Sequence, residues 1–271
     1  MWGIKKLVMR SEFNSFHLVD PSPWPLVTST SILMSATGAV MYFHGYGGSV
    51  LWLLVGFLFL IVSIYYWLRD VIREGTYEGQ HVSIVQKGFR FGFMLFIISE
   101  VMFFFGFFFG YFWLSFGGAV EAGGVFPPVG IVPISSGEIP LLNTLILLSS
   151  GASITWAHHG MISGSRRESI LGLIVTIVLA VLFTCLQGYE YLHGSFNISD
   201  GLYGSTFYML TGFHGLHVIV GTIMIIVTLV RVVGYEQTRE HHFNLELAAI
   251  YWHFVDVVWL FLFVALYIWG C

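Results

Sequence analysis

Charge is scarce in this chain. Asp, Glu, Lys and Arg make up 10% of the 271 residues, where soluble domains carry about 25%. With 56% hydrophobic residues and a mean hydropathy of +0.82, the chain holds more apolar surface than a soluble core of this length encloses. Cysteine is nearly absent. Cys185 and Cys271 cannot build a disulfide framework, and each reads as an inert thiol. The net charge of -4 offers no basic excess for nucleic acid. The first residues include Lys5, Lys6 and Arg10, but no apolar stretch with a small-residue cleavage site follows, so neither a secretory signal nor an arginine-rich transit peptide is read there. A mitochondrial location would then imply synthesis inside the organelle.

What is abundant is long apolar runs. A run must reach about 20 residues to cross about 30 Å of hydrocarbon as a helix. Such runs fall at approximately 24–44, 50–68, 90–113, 139–160, 169–189, 207–230 and 247–269. They are too long for alternating barrel strands, and a segment in lipid must satisfy its own backbone. The expected fold is therefore all-α: one membrane domain, 1–271, of seven transmembrane helices.

The cations support that count. Seven crossings gather every Lys and Arg on one side: Lys5, Lys6 and Arg10; Arg69, Arg73, Lys87 and Arg90; Arg166 and Arg167; Arg231 and Arg239. Cations are retained on the cytoplasmic or matrix side, so the amino terminus is expected there and the carboxyl terminus opposite. One missed or invented helix would scramble the pattern.

Glu100 is the lone charge in "LFIISEVMFFFGFFFGYFW", Leu95 to Trp113. At 1.5 Å per residue it lies about 16 Å into its span. An ionised acid near the bilayer centre costs roughly 2.5–3.5 kcal/mol on insertion scales. Glu100 is thus expected to face other helices as a largely protonated, hydrogen-bonded acid, serving either a proton-linked site or helix packing. Its candidate partners are His214 and His217, which share a face in span six, with His217 nearer its depth. His253 and Asp256 in span seven are expected to satisfy each other.

Metal chemistry finds little footing. "EYLH", Glu190 to His193, matches one element of di-iron bundles, which need two such elements and two further Glu. His158–His159 and His241–His242 are adjacent pairs, whose side chains diverge by about 100° on a helix. No metal ligand set is expected. Gly106-x-x-x-Gly110 and "SSGAS" (Ser149–Ser153) permit close helix approach. Arg69, Arg73, His81, Lys87 and Arg90 suit either anionic lipid headgroups or simple anchoring. Trp24, Trp67, Trp113, Trp156 and Trp269 suit an interfacial belt. From the residues alone a transporter, a receptor-like protein and a non-catalytic subunit all stay open.

Longer words narrow this. "HLVDPSPWP", "WLRDVIREGTYEG", "FIISEVMFF", "SGASITWAHH", "FNISDGLYGSTF", "TGFHGLHVIVG" and "YWHFVDVVWLFLFV" occur in one order along nearly the whole chain. In this the chain closely resembles the subunit III family of cytochrome c oxidase, of the mitochondrial type. The resemblance implies seven helices, two of them separated from five by a V-shaped cleft holding phospholipids. It implies a matrix-facing cationic side and an outer face on the intermembrane space. No haem or copper is expected in the chain itself. Those would sit in partner subunits I and II, with subunit I the main contact and accessory subunits around them. The implied role is to stabilise subunit I and sustain proton uptake. Glu100 corresponds to the family's carbodiimide-reactive acid, which favours packing over pumping. Lipid contacts are implied at Trp67, Arg73, His81 and Arg231, besides Lys87 and Arg90. Gln80 stands where the family usually has a first His before His81. Phe116, Phe126 and the "YLHGSF" segment depart from the usual outer-side wording. A bacterial or quinol-using relative and, more remotely, a proton-coupled transporter are the alternatives.

Overall fold

A computed structural model describes residues 21–117 and 124–270. Lys5, Lys6, Arg10, Glu121, Cys271 and His17–Asp20 lie outside the described residues. Among those described there are seven long α-helices and no strand: α1 Trp24–Phe43, α2 Ser49–Thr76, α3 Ser83–Gly117, α4 Ile139–Ser163, α5 Arg166–His193, α6 Gly201–Val233 and α7 Phe243–Leu262. All seven are long and apolar enough to cross a membrane, α7 together with a π-helical continuation, Phe263–Ile268.

Several helices outrun the apolar spans read from the sequence. α2 continues past residue 68 to Thr76, and α3 begins at Ser83 rather than near 90. Hydropathy marks where the hydrocarbon ends, but a helix does not stop there. Arg, Lys and Glu are good helix formers, and long cationic stems reach back to the headgroups. Arg69 and Arg73 therefore sit on the last turns of α2, and Lys87 and Arg90 on the first turns of α3.

The chain divides into two compact units, residues 1–89 and 90–271. In the first, α1 and α2 form a hairpin. Gly48, at φ +77, supplies the left-handed residue that starts α2 directly after the turn. The buried residues of α2 are Ser49, Gly56 and Ser63, one per heptad, a narrow seam of small side chains. Across it lie Thr28, Ser31 and Gly38 of α1. A Cβ on Gly56 would stand 2.8 Å from the Ser35 backbone nitrogen, and one on Gly38 2.8 Å from the Leu53 Cα. Thr28 donates to Ser63 at 3.0 Å inside the seam. In lipid, such close backbone approach and hydrogen bonding replace the hydrophobic drive.

In the second unit, α4 and α7 are the most enclosed helices and α3 the least. Gly164, at φ +83, ends α4 so that α5 starts at Arg166. The α4–α5 pair closes over Gly160 and Gly172, where a Cβ would meet Ser169 and Ala157 backbone at 2.9 Å. Trp252 and Trp259, one heptad apart on α7, are fully buried. Their indole N–H groups donate to α4 hydroxyls, Ser150 Oγ at 2.9 Å and Thr144 Oγ1 at 3.0 Å. Gly221 of α6 makes room for the Trp252 ring, 2.9 Å from where its Cβ would be. Beyond Leu262 the backbone widens, and Trp269 N donates five residues back to Val264 O at 2.9 Å. Tyr111 of α3 donates to Ala265 O in this stretch at 3.2 Å. Phe126, between α3 and α4, packs on Tyr111, Tyr203 and Trp269.

The small-residue steps divide. Ser150 and Ser153 of α4 do lie in a close contact, with Ser153 and Thr176 hydroxyls 2.7 Å apart. Gly106 and Gly110 meet nothing within 4 Å of a Cβ among the described residues, so no close approach is made there. Gly110 instead borders an open groove with Leu202 and Thr206 of α6, too wide for a close helix approach.

Candidate functional site

Glu100 is the central residue of α3. Its Oε2 lies 2.7 Å from His217 Nε2 on α6. His217 Nδ1 lies 2.6 Å from Phe213 O, one turn back. A carbonyl only accepts, so Nδ1 carries a proton and donates. Nε2 then either accepts from a protonated Glu100 or bears a second proton and donates to the carboxylate. Both arrangements have zero net charge. A paired acid in this form escapes the cost of an isolated ion in hydrocarbon. Phe104 packs edge-on to the His217 ring at 5.0 Å, and Phe103 and Tyr251 stand near it. The Glu100 side chain keeps 20% exposure.

The other candidate partners go elsewhere. His214 shares a helix face with His217 but is buried toward α7, where its Nε2 donates to Val255 O at 3.2 Å. His253 and Asp256 meet at 3.5 Å, and His253 also reaches Thr155 Oγ1 of α4 at 3.1 Å. None of these three is hydrogen-bonded to Glu100. A 100° step per residue places 214 and 217 on one side of α6, but two neighbours share that side.

A second buried acid is Glu190, which the sequence offers only as the first residue of "EYLH". Glu190, 3% exposed, accepts from Tyr267 OH at 2.6 Å and from Gln187 Nε2 at 3.2 Å; Asn143 in turn donates to Gln187. This network joins α4, α5 and the end of α7. "EYLH" drew attention to His193, yet His193 stacks on exposed Tyr189 at 4.0 Å, away from the network. The informative spacing was Gln187-x-x-Glu190, one face of one helix.

On the side that gathers the cations, each unit has its own arrangement. In the first, Trp24 Nε1 donates to Asp70 at 2.6 Å and stacks on Tyr66, while Arg69 pairs with Asp70 and covers Tyr66. Trp67, Arg73 and Lys87 are exposed, and His81 packs edge-on to Phe89. A groove of about 530 Å³ runs past Trp24, Trp67, Asp70, Arg73 and Phe89. In the second unit, Arg90 pairs with Glu246 at 2.8 Å and Arg231 with Glu236 at 3.0 Å. Arg166 donates to the carbonyls of Val232 and Val233 and lies over the Tyr235 ring, closing the carboxyl end of α6. The adjacent His pairs also resolve here: one member of each, His158 and His242, converges with Glu246.

Seven apolar helices among the described residues, with polar pairs inside the spans of each unit, define a polytopic integral membrane protein. The chain belongs to the cytochrome c oxidase subunit III family, whose family profile matches residues 14–271. Among its relatives, cytochrome c oxidase subunit 3 of Prototheca wickerhamii is 56% identical over 255 residues, 94% of this chain and 97% of that protein. The Chondrus crispus protein of the same name is 54% identical, covering 98% and 97%. That of Ornithorhynchus anatinus is 53% identical, covering 97% and 100%. Membership makes the chain one subunit of a multi-subunit oxidase.

Proposed function

We propose that the chain is a non-catalytic core subunit of cytochrome c oxidase in the mitochondrial inner membrane. In this role it stabilises subunit I, its main contact, and supports proton uptake while electrons pass from cytochrome c to oxygen. Haem and copper then belong to partner subunits, with subunit II and accessory subunits completing the assembly. The observation that carries this reading is the near full-length match to relatives of that name. The geometry supports it. Mid-span polar groups are taken up in ties between helices: Glu100 to His217, His214 to the α7 backbone, and Trp252 to Ser150. That is how a scaffold is held in lipid, and Glu100 on this reading serves packing.

The one-sided cations support an amino terminus in the matrix and a carboxyl terminus in the intermembrane space. Trp67, Arg73, His81 and Lys87 on the first unit, with Arg90 and Arg231 on the second, receive anionic phospholipid headgroups. Arg90 and Arg231 already hold carboxylates, so they contribute less free charge than Arg73 and Lys87.

Removal of this subunit from purified oxidase in liposomes tests the role. Haem and copper spectra and initial electron transfer should persist, while proton uptake slows and activity decays faster during turnover. Loss of metal in proportion to loss of the chain would overturn the non-catalytic assignment. An unchanged decay would overturn the supporting one.

A further inference from the structure

Where the last turns of α4 meet the first turn of α7, three ligand-type side chains converge. One ring nitrogen from each of His158 and His242, and one carboxylate oxygen of Glu246, all lie within 4.8 Å of one another. His242 Nδ1 lies 3.2 Å from Thr238 O, so that nitrogen carries the proton and donates. Unless a second proton binds there, Nε2 keeps its lone pair, and it faces Glu246 Oε1 at 3.5 Å. Two electron-rich atoms at that distance repel unless a cation lies with them. His158 brings a buried Nε2 that has no hydrogen-bond partner among the described residues. Arg90 donates through Nε and Nη2 to Glu246 Oε2 at 3.0 and 2.8 Å, which leaves Oε1 toward His242. Outer partners of this kind, a carbonyl behind an imidazole and a donor behind a carboxylate, orient the ligands of metal sites.

We propose that His158, His242 and Glu246 form a binding site for a divalent transition-metal cation. Two imidazoles and one carboxylate suit zinc, with bonds of about 2.0–2.2 Å and a fourth position open to water. Such bonds hold tetrahedral ligand atoms about 3.4 Å apart, so side-chain shifts of about 1 Å close the shell. The bound ion joins α4 to α7 at the membrane edge. Its rival is a second proton on His242, which would turn the triad into a plain ion pair with Glu246.

Zinc chloride titration of the chelator-washed oxidase complex separates the two. Bound zinc is counted by elemental analysis and its ligands read by X-ray absorption, in the parent and in the variants His242→Gln and His158→Asn. The difference between parent and variant cancels zinc held by other subunits. The parent should bind one zinc per complex more than either variant at micromolar metal, with a shell of two imidazoles, and each variant should bind that zinc at least tenfold more weakly. Haem content shows which variants assemble; if one does not, Glu246→Gln replaces it. Equal zinc stoichiometry and affinity in the parent and an assembled variant would overturn the site. So would a parent that takes up no zinc below millimolar concentration, which would leave the proton as the occupant.

Discussion

Glu100 Oε2 and His217 Nε2 stand 2.7 Å apart, joining the centre of α3 to α6. Because His217 Nδ1 is committed to Phe213 O, the pair shares one proton and is neutral wherever that proton sits. Removing the histidine strands an acid in the span; changing the acid to an amide does not. His217→Ala should therefore cost more than Glu100→Gln. A buried polar group left without its partner costs about 1–3 kcal/mol. Thermal dissociation of the assembled complex, followed by haem release, measures both. Equal losses in the two variants would contradict the shared-proton account.

Tyr267 and Gln187 hold Glu190 Oε1. Tyr267→Phe removes the shorter of those bonds inside a buried network, with an expected loss of about 1–3 kcal/mol. Glu190→Gln keeps an acceptor for Tyr267 and should lose less. A double-mutant cycle between positions 190 and 267 should show coupling above about 0.5 kcal/mol.

Glycines at helix crossings separate internal from external packing. Gly172→Ala places a methyl 2.8 Å from Ala157 Cβ and 2.9 Å from its backbone nitrogen. Overpacking of this kind costs about 1–3 kcal/mol, read as a lower unfolding temperature in detergent. Gly106→Ala meets nothing within 4 Å among the described residues and should leave the isolated subunit unchanged. A loss seen only in the complex would assign the Gly106–Gly110 face to a partner helix.

Arg166 and Arg90 make different predictions although both are bidentate. Arg90 is 49% exposed on the side chain, so Arg90→Ala should cost less than about 1 kcal/mol and less still at high salt. Arg166 donates to two carbonyls at the end of α6 and lies over Tyr235. Arg166→Lys cannot reproduce that planar fork and should destabilise the subunit more than Arg90→Lys. Parallel unfolding curves at low and high ionic strength compare them.

Cysteines placed at Arg73 and Arg166 should react with a membrane-impermeant thiol reagent from the same aqueous face. Labelling from opposite faces would break the one-sided distribution of cations and with it the proposed orientation.

Sequence by itself determined the class of fold, because hydrocarbon imposes a constraint that acts along the chain. Each apolar run must close its own backbone hydrogen bonds, so length and hydropathy were enough to find α1 to α7. The cost of placing Glu100 in such a run also pointed to a neutralising partner at its depth. Only tertiary structure decided which partner. His214 and His217 lie on one side of α6, and the positions of α3 and α7 divide them. The same holds for His158, His242 and Glu246, and for Asn143, Gln187, Glu190 and Tyr267. Each set is gathered from helices far apart in the chain. Helix periodicity fixes the direction in which a side chain leaves its own axis, but not what stands opposite. Crossings such as those at Gly172 and Gly221 bear on that, through close contacts between helices that no single run records.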